Sequence, residues 1–252
     1  MKNVLILNDF VSKGKIAARL MASVLAYMDV EVFLLPTAMI ANNFSLGENA
    51  FFNTNKYIKD CLEAWTKLGF KFDTIFIGYI DDLEQRNLIR DFLENLDYDT
   101  TIILDPIMGD DGSLYPGLDD RKIENYKSLV DLADIVIPNE TEAKFLDLDR
   151  NSFKEKNKEL IVTSSKEKDK DCVKVYGKNE AIIYFDKQEI KVGGSGDLFD
   201  GLFIGYKLKE YDTEEAIDKT CQVIIKILKA NDKDNPGASE VNIEKYLTLI
   251  KE

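Results

Sequence analysis

The chain has 252 residues, 45% hydrophobic and 31% charged, with a formal net charge of −13. That mixture reads as a folded globular protein, and the negative charge argues against nucleic acid or an anionic membrane as the main partner. Histidine is absent, which removes Ser-His-Asp and Cys-His nucleophiles and His-dependent zinc sites, so acid–base work near neutral pH falls to carboxylates, lysine, tyrosine or cysteine.

Val4 to Leu7 is a continuously apolar run, the pattern of a strand buried on both faces, and Asn8-Asp9 is expected to close it. Ile16, Leu20, Val24 and Met28 recur every four residues and predict a helix. Val32 to Leu35 predicts a second strand stopped by Pro36-Thr37, followed by a polar, irregular stretch from Ala41 to Asn55. Helical spacing from Tyr57 to Leu68, a strand at Thr74–Ile77, a helix through Leu88 and Leu96, and a strand at Thr101–Leu104 come next. A Gly/Asp-rich loop from Met108 to Leu118 leads to a helix through Ile123 and Ala133 and a strand at Ile135–Ile137. Beyond residue 150 the chain is charge-dense around a short strand at Leu160–Thr163, and Cys172–Tyr176 with Ala181–Phe185 predicts an antiparallel hairpin. Helices near Thr213–Leu228 and Ile243–Ile250 end the chain.

The repeated strand–helix order predicts one α/β domain over residues 1–252, with a mainly parallel sheet covered on both faces. Asn8-Asp9, Thr37, Tyr79, Asp105 and Asn139 directly follow strands, where an open parallel sheet has its ligand crevice. Gly193-Gly194-Ser195-Gly196-Asp197 precedes a run with helical spacing (Leu198, Phe199, Leu202, Phe203, Tyr206). Its amides therefore lie at a helix N-terminus, a site for phosphate, with Asp197 beside it to accept a proton. A tight loop with an acidic first-turn residue is the plainer reading of the same stretch. The spaced cysteines Cys61, Cys172 and Cys221 form no CxxC pair and read as reduced packing thiols of a cytoplasmic protein. The N-terminal apolar run is too short for a signal peptide, and no segment approaches the roughly 20 apolar residues of a membrane span. No G-x-x-x-x-G-K-[ST] is present, so a P-loop is not expected.

Four stretches carry a resemblance. Asp105-Pro106-Ile107-Met108-Gly109-Asp110, continuing to Tyr115, is similar to "DPVMGD-x-G-x-x-Y". Ala133 to Ala143, with Pro138-Asn139 and Glu142, is similar to "ADIITPN-x-x-EA", and Gly194-Ser195-Gly196-Asp197 to G-[TS]-G-D. Asn8-Asp9, Pro36-Thr37-Ala38 and Gly78-Tyr79 complete the set. Together they resemble the pyridoxal/pyridoxamine kinases of the ribokinase-like superfamily over most of residues 4 to 210.

The resemblance implies a three-layer α/β/α ribokinase-like fold and ATP-dependent phosphorylation of the 5′-hydroxymethyl group of pyridoxal, pyridoxine or pyridoxamine. Asp197 would be the base, and the amides of Gly194, Ser195 and Gly196 the anion hole. Mg-ATP would be met by Asp105, Asn139, Glu142, Thr163 and Ser164, with Asp105 and Glu142 near the magnesium, partly through water. Asp9, Thr37 and Tyr79 would face the vitamin ring. A monovalent cation is a further candidate cofactor, and a homodimer the implied assembly. Plainer roles stand beside these: Asp105 closing a strand, Asn139 and Glu142 capping a helix, Tyr79 packing in the core. After Pro-Thr the family reads close to "S-N-H-T-G", whereas here Ala41-Asn42-Asn43-Phe44-Ser45 stands. That departure bears on substrate identity and leaves open a hydroxymethylpyrimidine or sugar kinase, or a binding protein without catalysis. The stretch from 150 to 190 is shorter than the family norm, which implies a reduced nucleotide flap.

Overall fold

The computed structural model describes residues 1–43 and 47–251, so Phe44 and Ser45 of the departing stretch lie outside the described residues. The strands are β1 (Lys2–Lys13), β2 (Val30–Asn42), β3 (Phe51–Asn53), β4 (Thr74–Ile77), β5 (Thr101–Leu104), the small hairpin β6 (Gly109–Asp110) and β7 (Ser113–Leu114), β8 (Ile135–Val136), β9 (Glu159–Glu167), β10 (Lys170–Gly177) and β11 (Ala181–Tyr184). The helices are α1 (Ala17–Tyr27), α2 (Asn55–Lys67), α3 (Leu83–Glu94), α4 (Asp120–Val130), α5 (Glu140–Phe145), α6 (Arg150–Glu155), α7 (Ser195–Leu208), α8 (Thr213–Asp234) and α9 (Ile243–Tyr246).

Among the described residues the main sheet has the order β11-β10-β9-β8-β5-β4-β1-β2-β3. It is parallel from β9 through β2, with antiparallel edges made by β10 and β11 on one side and β3 on the other. Successive residues of a strand point to opposite faces. Accordingly Val4 and Ile6 enter a core with α1, α7, α8 and α9, while Leu5 and Leu7 enter a second core with α2, α3 and α4. All four are fully buried, which accounts for the unbroken apolar run. Each such side chain contributes roughly 1.5–3 kcal/mol of burial. The result is the mainly parallel α/β/α arrangement the sequence predicts.

α7 lies close against α1 because its contact face carries glycines. A Cβ on Gly201 would sit 3.4 Å from the Cα of Met21, and one on Gly205 would run into the Met28 sulfur. This packing brings the start of α7 to the end of β1.

Several expected boundaries are corrected. β1 does not close at Asn8-Asp9; it continues to Lys13 through an irregularity between Asn8 and Phe10. Pro36 does not stop β2 either. At its level β2 has a strand neighbour on one side only, since β3 pairs with Ala38 to Ile40, and a missing N–H is tolerated at such an edge. The irregular stretch from Ala41 to Asn55 includes β3, and the loop from Met108 includes the β6–β7 hairpin. Two short helices, α5 and α6, interrupt the segment before β9.

Candidate active site

The backbone ladder runs one residue beyond several parallel strands. Gly78 donates to Leu7 O (2.8 Å), Asp105 to Ile77 O (2.9 Å), Ile137 to Leu104 O (2.8 Å) and Thr163 to Pro138 O (2.9 Å). The middle of β1 and of β9 and the residues that follow β4, β5 and β8 are thereby set side by side along one edge, where the first turn of α7 also arrives.

Asn8 is the hub of the hydrogen bonds around β1 and is fully buried. Its side-chain oxygen accepts from the Tyr79 N–H (2.9 Å) and the Asp9 N–H (3.0 Å), and its amide donates to Oδ1 of Asp197 (3.4 Å). Position 78 must be glycine for this contact, because a Cβ there would stand 2.6 Å from the Asn8 oxygen. The other Asp197 oxygen accepts the Ala17 N–H at 2.8 Å. The carboxylate is thus held from both sides, and burial raises its pKa above the usual range.

Gly194 has φ +86, and a Cβ on it would meet Ile16 Cγ2 at 2.9 Å, so only glycine fits the turn into α7. Around Gly196 no heavy atom lies within 4 Å of a would-be Cβ, which leaves open space beside the helix start. The first N–H groups of a helix have no intrahelical acceptor and carry the positive end of its dipole. Asp197 stands in that first turn.

Asp9 is half-buried in the same cleft, and burial with the nearby Asp197 charge pushes its carboxyl up to about 7. Tyr79 is half-buried, and its hydroxyl is raised first by burial and then by Asp81 and Asp9. The Lys122 ammonium stands 4.4 Å from the Tyr79 ring centroid while donating to Asp81 O (2.7 Å) and to Ile80 O. Burial lowers that lysine to about 8. Thr37 is fully buried; its carbonyl accepts from Gln85 (2.7 Å), and its hydroxyl has no partner among the described residues.

Farther along the same edge Asn139 and Glu142 form a capping box at the start of α5. Glu142 Oε2 accepts the Asn139 N–H (2.9 Å), and Oε1 accepts from Met108 (3.1 Å) and Gly109 (3.4 Å). Asn139 also donates to Gly109 O (2.8 Å), tying α5 to the β6–β7 hairpin. Burial pushes Glu142 up to about 7. The capping reading of this pair therefore holds, and it places Glu142 beside Asp105. Asp105 is driven well upward by burial and by the adjacent Asp200 and Glu142 carboxyls. Thr163 bridges Asn139 across the ladder, whereas Ser164 is exposed with a left-handed φ of +52.

One participant was not legible as a site residue. Asp200 is 1% exposed, has its carboxyl beside that of Asp105, and keeps one oxygen without a hydrogen-bond partner among the described residues. Its signal was a carboxylate among Leu198, Phe199, Leu202 and Phe203, on a face otherwise apolar. Asn8, which the sequence places with Asp9 at the ligand edge but gives no role of its own, links three segments of the site.

Among the described residues no ion pair involves Asp9, Asp105, Glu142, Asp197 or Asp200. Nor do three or more His, Cys, Asp or Glu side chains converge in metal-binding geometry among them. Acidic oxygens without a basic partner suit a hard divalent cation, but this set suits one held chiefly by its ligand's own phosphates.

The family model described as phosphomethylpyrimidine kinase matches residues 23–242. The chain is 26% identical over 237 residues to the Schizosaccharomyces pombe protein named "Putative pyridoxal kinase C18.10", covering 84% of this chain and 69% of the relative. Among solved structures it superposes on pyridoxal kinase from Lactobacillus plantarum with a TM-score of 0.89 at 21% identity, covering 99% of this chain and 96% of that one. Pyridoxal kinase from Leishmania donovani in complex with ADP and pyridoxamine gives 0.86 at 17% identity, over 100% and 96% of the two chains. No helix among the described residues is long and apolar enough to cross a membrane.

Proposed function

The chain belongs to the phosphomethylpyrimidine kinase family, and from that premise we propose that it phosphorylates the 5′-hydroxymethyl group of a vitamin B6 vitamer with ATP. The observation that carries this reading is the double hold on Asp197, by Asn8 and by the Ala17 N–H, in the first turn of α7. A carboxylate so oriented takes the hydroxymethyl proton as the oxygen attacks the γ-phosphorus. The amides of Gly194, Ser195 and Gly196 hold the charge on the transferring phosphoryl. Phosphoryl transfer asks mainly for alignment and charge stabilisation, which these two elements supply without a covalent intermediate.

Asp105 and, through water, Glu142 would hold magnesium carried in with the nucleotide. When bound, that ion neutralises charge on the β- and γ-phosphates. Asn139 fixes the hairpin above Glu142, and Thr163 and Ser164 line the phosphate side. Asp9 and Tyr79 face the ring, with Lys122 backing the tyrosine. Thr37 contributes through its buried hydroxyl only if the ring's arrival opens the strand edge.

The test is ADP formation by the purified chain with Mg-ATP and each vitamer in turn. Absence of ADP with all three refutes the substrate. A hydroxymethylpyrimidine is the second reading, supported by the family match and by the Asn42-Asn43 departure near the ring. Turnover of that compound alone would select it.

A further inference from the structure

The turn between β1 and α1 contains a conformation that L-residues seldom adopt. Ala17 has φ +55 at a non-glycine position, and such a residue persists only where its surroundings over-determine it. Its N–H is the one that meets Oδ2 of Asp197. What imposes the turn comes from the far end of the chain.

Glu240 Oε2 accepts the Lys15 N–H at 2.9 Å, and Oε1 accepts from the Asn43 amide at 3.5 Å. Its carboxylate oxygens lie 3.0 and 3.2 Å from where a Cβ on Gly14 would be, so Gly14 (φ +141) leaves the room they occupy. The Lys15 side chain is pinned nearby, to Glu244 Oε2 at 2.5 Å and to Asn242 Oδ1. Glu240 also forms a parallel bridge with Gly193, whose N–H donates to Ser239 O at 2.8 Å. Glu240 thus ties the β1–α1 turn, through its carboxylate, to the strip that leads into the glycine turn, which its backbone bridges.

We propose that Glu240 is a positioning residue for the base: by clamping Gly14 and Lys15 it imposes the left-handed turn that aims the Ala17 N–H at Asp197. The proposal rests on Asp197 being the base. It acts through alignment, so its loss lowers turnover more than substrate affinity.

The test is a double-mutant cycle with Ala17→Gly, since glycine takes a positive φ without the clamp. Glu240→Ala is expected to lower kcat about tenfold or more, with both KM values within about threefold. In the Ala17→Gly background the same substitution is expected to cost less than about threefold in kcat, because the turn no longer needs imposing. Equal losses in both backgrounds, or no loss in either, overturn the proposal. If Glu240→Ala does not fold by circular dichroism, Glu240→Asp replaces it: it keeps the charge but withdraws the oxygen from Lys15. The same background dependence is then required, and its absence overturns the proposal. Asp197→Asn assayed in parallel separates the failures. Wild-type turnover in that variant removes the base and this proposal together, whereas an inactive Asp197→Asn with a background-independent Glu240 effect removes this proposal alone.

Discussion

The side-chain amide of Asn8 donates to Oδ1 of Asp197, joining residues 189 positions apart in sequence. Its oxygen meanwhile holds the Tyr79 N–H, so Asp197 and the tyrosine are set by one side chain. Asn8→Asp replaces that donor with an acceptor beside a carboxylate. We expect kcat to fall about tenfold or more, with a lower melting temperature at pH 8, since like charges are brought together. Steady-state kinetics and calorimetry check both, and an unchanged kcat would remove Asn8 from the site.

Asp197→Asn keeps the shape but cannot take a proton, and its single acceptor oxygen can serve only one of the two donors, Asn8 and the Ala17 N–H. Turnover should drop by about 10²–10⁴ with a native circular dichroism spectrum, the range for loss of a general base. Activity near that of the unsubstituted chain would assign the base elsewhere.

Gly78→Ala forces a methyl to within 2.6 Å of the buried Asn8 oxygen. Overpacking of this kind costs about 1–3 kcal/mol. A urea midpoint shifted down, together with a loss of turnover, is the expected result. A tolerated alanine would mean that Asn8 can give way.

Stability of the ligand-free protein should fall as pH rises from about 4 to about 7, the reverse of ordinary acid denaturation. Burial pushes Asp9 from the ordinary 3.8 up to about 7 in the fold, and Glu142 from the ordinary 4.5 to about 7. Between those limits the folded state holds protons the unfolded chain has released, so the slope of unfolding free energy with pH is negative. Urea midpoints at pH 5 and pH 8 measure this. Asp9→Asn should lose part of the difference, and the same fall in both proteins would exclude Asp9 as a source.

Asp200→Asn should stabilise the apo protein at pH 8. The amide can still bond to Asp105, and one buried carboxylate is removed from a group with no cation among the described residues. A higher melting temperature is expected, and a lower one would show that the charge is offset by a partner.

The parallel sheet was legible because strands buried on both faces must be apolar throughout, as Val4–Leu7 and Thr74–Ile77 are. The edges were not. Beyond Asn8 the residues of β1 mix polar and apolar, and β2 crosses a proline, so pairing with a neighbour rather than local pattern decides where they end. α5 announced itself only through its Asn139 cap, being too short for helical periodicity. In the site, Asp105, Asn139 and Asp197 could be found because each directly follows a strand or opens a helix. Asp200 and Glu240 could not, nor could the role of Asn8, since these are fixed by partners up to 225 residues away.

The packing of α7 on α1 through Gly201 and Gly205 has a consequence for how the protein is made. Synthesis delivers β1 and α1 first and α7 only near the end. Until then the face of α1 bearing Met21, Val24 and Met28 has no helix to receive it, and the nascent chain exposes an apolar surface that invites aggregation or chaperone binding. The same order means that Asn8 and the turn at Ala17 wait for Asp197. The arrangement of Asn8, Ala17 and Asp197 cannot assemble on the ribosome before α7 has emerged.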